Sequence, residues 1–201
     1  MGKGAQTRQT VLAHAADVAA REGLSTLTIG DLATRTHLSK SGLFAHFQSK
    51  EALQLAVLAY ARDRFTDEVI RPATRTARGE PRVRALFEHW LAVSRQANAE
   101  CLFVAASSEY DDRPGPVRDQ LVRDHRDCAE SVAQMFRTGI AEGDFRRDAD
   151  PEQFAHELQG IMLGFFHAHR LLGDPLAAER TRRSFESVLS ACRTPAPPAR
   201  S

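Results

Sequence analysis

Two lysines in the first quarter of the chain stand where a cation is electrostatically costly. Lys40 follows Ser39 and Lys50 follows Ser49, and each serine reads as a helix N-cap. A lysine in the first helical turn opposes the positive end of the helix dipole by about 0.3–1 kcal/mol. A bound phosphate reverses that sign, because the lysine and the free N–H groups of the helix end then hold it together. Between the two lysines lie Ser41, Gly42, Leu43, Phe44 and His46. On a helix that opens at Lys40, Leu43 and Phe47 are spaced i and i+4 and share the buried face, which leaves Lys40, Ser41, Phe44 and His46 on the open one. Upstream, Thr28 is a further cap, and Asp31 three residues on completes a capping-box pattern. A projecting helix with such a face fits the major groove of DNA, which admits one helix.

The other residues with chemical potential do not assemble in sequence. His167 and His169 are i, i+2 on a helix and point apart. His125 and Cys128 are i, i+3 and could share a ligand, but two donors do not make a metal site. No GxSxG, Walker or GxGxxG pattern occurs, and the carboxylates fall on solvated helix faces. The expectation is a protein without enzymatic activity, metal or cofactor. Cys101, Cys128 and Cys192 are widely spaced and odd in number, which argues against a disulfide framework. A redox switch at Cys101 or Cys128 needs a lowered thiol pKa and exposure; buried inert thiols are the commoner case.

The elements that must position these residues all read as helix. Val11, Ala15, Val18 and Ala19 form one apolar stripe on a first helix from about Gln6 to Arg21. Ile29–Arg35 and about Lys40–His46 are two short helices, with Leu27/Leu32 and Leu38/Leu43 placed as hydrophobic staples. A long fourth helix runs from Lys50 toward Arg71, where Pro72 ends or kinks it. Further helices are expected from Pro81 to about Ala97, Cys101 to Tyr110, Pro116 to Ala141, Pro151 to about Leu172 and Pro175 to about Ala191, each set off by Pro, Gly or Asp. The fold class is all-α. An N-terminal three-helix, helix-turn-helix domain occupies residues 1–55, a helical ligand-binding and dimerisation domain 56–193, and a disordered tail 194–201. Met1–Ala5 is also expected to be disordered.

Bulk composition neither suggests nor forbids this. The 201 residues are 42% hydrophobic and 26% charged, as in an ordinary globular protein. Net charge is +1, with +2 in residues 1–55, too mild by itself to point to nucleic acid. No segment reads as a signal peptide, and apolar runs such as Cys101–Ala106 and Ile161–Phe166 are too short to span a bilayer. A soluble, cytoplasmic protein without membrane contact is expected.

The run Leu38-Ser39-Lys40-Ser41-Gly42-Leu43-Phe44-Ala45-His46-Phe47-Gln48-Ser49-Lys50-Glu51-Ala52-Leu53 resembles the signature of TetR/AcrR-family regulators, and Leu27-Thr28-Ile29-Gly30-Asp31-Leu32-Ala33 is similar to the family's second helix. The resemblance covers roughly residues 7–55; downstream only helix number and length agree. It implies about nine helices in a homodimer, with effector sites in the divergent C-terminal domain. It implies DNA contacts at Thr28, Ser39, Lys40, Ser41, Gly42, Leu43, Phe44, His46 and Lys50, with Thr28 and Lys50 on phosphates. Phe44 and His46 stand where the family usually has tyrosines, so two phenol donors are missing and the phosphate clamp is weaker or tied to His46 protonation. His37 replaces a turn glycine.

In the C-terminal half, aromatics are frequent and most must fill the core. Trp90, His125, Met162 and Phe166 are candidates for a small-molecule site, with plain packing as the alternative for each. Gly160 and Gly164 are four apart on one helix face, where a second helix can approach closely, from a dimer partner or from within the chain. The reading is a dimeric regulator, a repressor that binds a palindromic double-stranded DNA operator and is released by a small-molecule effector. The competing reading is a helical small-molecule-binding module or enzyme that retains a vestigial helix-turn-helix.

Overall fold

The computed structural model describes residues 3–95 and 101–195, with side chains from Gln6 onward. Ten α-helical segments follow one another: α1 (Lys3–Glu22), α2 (Ile29–Thr36), α3 (Lys40–Phe47), α4 (Lys50–Phe65), α5 (Arg71–Arg75), α6 (Glu80–Ser94), α7 (Leu102–Tyr110), α8 (Pro116–Glu142), α9 (Pro151–Phe166) and α10 (Ala177–Cys192). A π-helical turn, Thr66–Ile70, joins α4 to α5, and another, His167–Leu171, extends α9. With α4, its π turn and α5 taken as one helix, nine helices occur among the described residues.

Pro72 therefore does not end the fourth helix. It is the second residue of α5, and helix continues to Arg75. A proline inside a helix lacks a donor and crowds the carbonyl four residues back. The wider π turn immediately before it relieves both conflicts. At the N-terminus, helix begins at Lys3 rather than near Gln6, so the disorder expected for Met1–Ala5 does not extend to residues 3–5; Met1 and Gly2 lie outside the described residues. The sixth helix ends at Ser94, short of Ala97, and residues 96–100 also lie outside. The same holds for the expected disordered tail beyond Pro195.

The chain forms two compact units, residues 1–66 with 96–125 and residues 67–95 with 126–201. In the first, α1 packs on α2, α4 and α7, and α3 packs on α2 and α4. The predicted stripe of α1 is its centre: Val11, Ala15, Val18 and Ala19 are all buried, together with Leu24, Leu27, Leu32, Leu43, Phe47, Leu53, Val57 and Leu58.

The second unit is built on stacked phenyl rings. Phe87 lies on Phe185 at 4.0 Å, and Phe136 stacks on both Phe145 and Phe154 at 4.3 Å. The Phe145 ring reaches its place only because residue 139 is glycine; a Cβ there would fall 2.4 Å from Cε2. An isolated antiparallel bridge pairs Phe145 with Arg193. The Glu80 carboxylate, opening α6, accepts from Arg193 at 2.7 and 2.8 Å and from Arg84 at 2.7 Å, and Arg84 goes on to Glu186. Hydrogen bonds from Arg193 and then Arg84 hold the Glu80 carboxyl down at about 2. Among the described residues, no helix is long and apolar enough to cross a membrane.

Candidate nucleic-acid interface

Each of the three predicted caps forms as its sequence dictates. Thr28 is extended (φ −130°, ψ 153°) and its hydroxyl accepts from the Asp31 N–H at 3.1 Å. Ser39 accepts from the Gly42 N–H at 3.1 Å, and Ser49 from the Ala52 N–H at 3.0 Å. These bonds satisfy donors that no carbonyl inside the helix can reach. At Gly42 a Cβ would stand 2.9 Å from the Ser39 hydroxyl, so a side chain there would crowd the cap.

The turn between α2 and α3 is a Schellman closure. The His37 N–H reaches the Thr34 carbonyl at 3.4 Å and the Leu38 N–H the Ala33 carbonyl at 3.1 Å. This pattern requires a left-handed residue, and His37 takes it, at φ 54° and ψ 29°. The substitution of the family's turn glycine therefore leaves the turn intact, at a backbone cost of about 1–2 kcal/mol.

Helix α3 divides as predicted. Leu43 and Phe47 are buried, while Lys40, Ser41, Phe44 and His46 are exposed. Phe44 is 56% exposed, which excludes a core role for a large apolar ring. Leu43 is the one residue of the implied contact set that cannot be reached from outside: at 1% exposure it anchors the helix instead. Lys40 lies over Gly30, where a Cβ built on that glycine would be 4.0 Å from both Lys40 Nζ and Thr28 Oγ1. The N-cap of α2 and the first turn of α3 thus bring a hydroxyl and an ammonium to the same glycine.

Lys50 is exposed, and its ammonium donates to the Ser25 carbonyl. That bond ties the start of α4 to the loop before Thr28. The same loop is gripped from α7, where Glu109 Oε1 and Oε2 accept from the Leu24 and Ser25 N–H groups at 2.9 and 2.8 Å. Buried Gln54 completes the grip, donating to the Leu24 carbonyl at 2.8 Å and the Tyr110 hydroxyl at 3.0 Å. Burial pushes the Tyr110 hydroxyl up in pKa. Beneath α3, the Arg8 guanidinium sits 5.5 Å from the Phe47 ring centre. Sequence reasoning missed Arg8, Gln54 and Glu109. Gln54 alone left a local sign, a polar residue beside the apolar face Leu53–Val57; Glu109 left none.

The other candidates are scattered. Met162 and Phe166 are buried and Trp90 half-buried in the second unit, whereas His125 is half-buried in the first. Gly160 and Gly164 are exposed and a Cβ on either would meet nothing within 4 Å, so among the described residues no other helix approaches them closely. They lie in a groove of about 520 Å³ between α9 and α10, with Ile161, Ala168, Ser184 and Val188. Cys101, Cys128 and Cys192 are half-buried, and burial raises the Cys192 thiol pKa. Among the described residues, no three His, Cys, Asp or Glu side chains gather closely enough to hold a metal ion.

Residues 11–57 match the family of bacterial regulatory proteins named for TetR, and residues 79–185 match the tetracyclin repressor-like C-terminal domain. No curated protein matches the sequence. Among solved structures, the chain is similar to a TetR-family transcriptional regulator from Cytophaga hutchinsonii, with 18% identity over 98% of this chain and 99% of that one and a TM-score of 0.84. It is similar to a TetR transcriptional regulator from Chloroflexus aurantiacus, with 24% identity, coverage of 94% and 96%, and a TM-score of 0.82. It also resembles AibR, solved in complex with isovaleryl coenzyme A and operator DNA, with 22% identity, coverage of 93% and 98%, and a TM-score of 0.69. The chain belongs to the TetR family of transcriptional regulators, with a DNA-binding helix-turn-helix followed by a helical C-terminal domain.

Proposed function

We propose that this regulator is a cytoplasmic homodimer that represses by occupying a twofold-symmetric operator and leaves it when a small molecule binds the C-terminal domain. Binding, not catalysis, is its activity. The observation that carries the reading is the exposed face of α3: Lys40, Ser41, Phe44 and His46 stand out over a buried Leu43–Phe47 anchor. In this reading Thr28, Ser39, Gly42 and Lys50 flank that face with hydroxyls, N–H groups and an ammonium for the phosphates.

The groove along α9 and α10 supports a second copy as its occupant. Its lining includes Gly160, Gly164, Ala168 and Ser184, and Leu163, Leu171, Leu172 and Leu176 lie exposed on and beside the same two helices. A soluble monomer rarely leaves such a run of large apolar side chains to water. Two copies related by a twofold axis would set two α3 helices against successive major grooves. An effector that favours a different separation of those helices lowers DNA affinity by its differential binding. AibR was captured with both operator DNA and isovaleryl coenzyme A, which supports effector control in a protein of this fold.

Selection of bound duplexes from a random DNA library by the purified chain tests this reading. The expected outcome is a palindrome with half-site centres about 34–36 Å apart, or a multiple of one DNA turn. No enriched sequence, or an asymmetric single site, contradicts it.

A further inference from the structure

Two buried side-chain atoms of the first unit lack a hydrogen-bond partner among the described residues, His14 Nε2 on α1 and a carboxylate oxygen of Asp124 on α8. Asp124 is 6% exposed, and its side chain 2%. Oδ1 accepts from Gln120 Nε2 at 2.9 Å and from an Arg62 guanidinium nitrogen at 3.4 Å. Oδ2 is buried without a hydrogen-bond partner among the described residues. An ionised oxygen held out of water without a donor is strongly unfavourable, so such an atom calls for an explanation.

Its surroundings point to a ligand. Arg62 is shared, since its other nitrogen reaches Asp63 Oδ1 at 3.3 Å. One guanidinium thus serves two carboxylates, and the three groups together carry a charge of −1. The Arg62 side chain is 42% exposed, so the guanidinium paired with buried Asp124 also meets solvent. On the next residue of α8, His125 faces α7. The Ser107 hydroxyl lies 2.6 Å from the Phe103 carbonyl and shares a hydrogen bond with His125 Nε2 at 2.8 Å. The Phe103 ring meets the imidazole edge-on at 6.0 Å.

We propose that Asp124 recognises a protonated amine on the effector, the N–H cation donating to Oδ2 while Arg62 swings toward Asp63. This deepens, and rests on, the reading of the protein as effector-controlled. A neutral hydroxyl would supply the missing donor but leave the surplus negative charge; an organic amine with an apolar body meets both needs.

The test uses the full chain without DNA, with benzylamine and benzyl alcohol as probes in ligand-observed NMR titrations at neutral pH and low salt. Wild type is expected to bind benzylamine at least about tenfold more tightly than the alcohol, and Asp124→Asn to lose that preference. Arg62→Gln, which removes the competing cation, is expected to tighten benzylamine severalfold. A merely structural Arg62–Asp124 pair predicts no such gain, and this variant decides the matter if Asp124→Asn fails to fold. Equal binding of the two probes by wild type, or a preference retained in Asp124→Asn, or unchanged or weaker binding by Arg62→Gln, overturns the proposal. DNA release is read separately: an amine that binds through Asp124 yet leaves DNA bound contradicts effector release and not the amine site. A neutral compound that releases DNA from Asp124→Asn does the reverse.

Discussion

Phe47→Ala is expected to destabilise the N-terminal helices by about 3–5 kcal/mol, the usual range for emptying a buried phenylalanine site. Three features place it at this upper end. Phe47 is 3% exposed in a core it shares with Leu43, Leu32 and Leu53. Its ring also carries the Arg8 guanidinium at 5.5 Å, which is worth about 0.5–1 kcal/mol more. And α3 is an eight-residue helix, far too short to persist in water without tertiary support. A domain with about 5–15 kcal/mol in all would lose a fifth or more of its stability. Urea unfolding, followed by anisotropy of a labelled operator, would show a lowered midpoint and lost specific binding together. A loss below about 1 kcal/mol would mean that Phe47 does not hold the helix.

Glu109→Ala is expected to cost about 3 kcal/mol and to weaken DNA binding without touching the α3 face. One carboxylate accepts two successive backbone N–H groups, and bonds to a charged acceptor contribute about 1.5–3 kcal/mol each. Leu24 is fully buried, so water cannot easily replace the lost acceptor at its N–H. The loop this frees runs directly into the Thr28 cap and carries the Ser25 carbonyl that holds Lys50. Glu109→Gln should fall between, since an amide offers one acceptor oxygen where two are used. If Glu109→Ala leaves both the unfolding midpoint and operator affinity unchanged, the grip of α7 on this loop has no energetic weight.

Much of the recognition unit was legible in sequence because its signals are local. A cap and its N–H partner are three residues apart, so Thr28, Ser39 and Ser49 declared themselves. The i, i+4 spacing of Leu43 and Phe47 sorted the faces of α3 correctly, even though family resemblance alone would have counted Leu43 among the DNA contacts. His37 stood out only through the family resemblance, which has glycine at that turn; the left-handed conformation is what the structure adds. What stayed hidden depends on distance along the chain or on backbone accommodation. Glu109 grips a loop 84 and 85 residues away, and nothing near it in sequence marks it out. The π turn that lets helix pass Pro72 has no composition of its own. Asp124 looks like any charged residue of an amphipathic helix until the fold buries it beside Arg62 of α4.

The central claim is that the open face of α3 meets the DNA, and its most direct test is operator affinity of Lys40→Ala and Phe44→Ala beside wild type at fixed salt. Both side chains are exposed, so the unfolding midpoint should not move. Each variant is expected to bind the selected operator at least about tenfold more weakly, the scale of a 1–3 kcal/mol contact. Unchanged operator affinity in both variants, with the fold intact, would contradict the account.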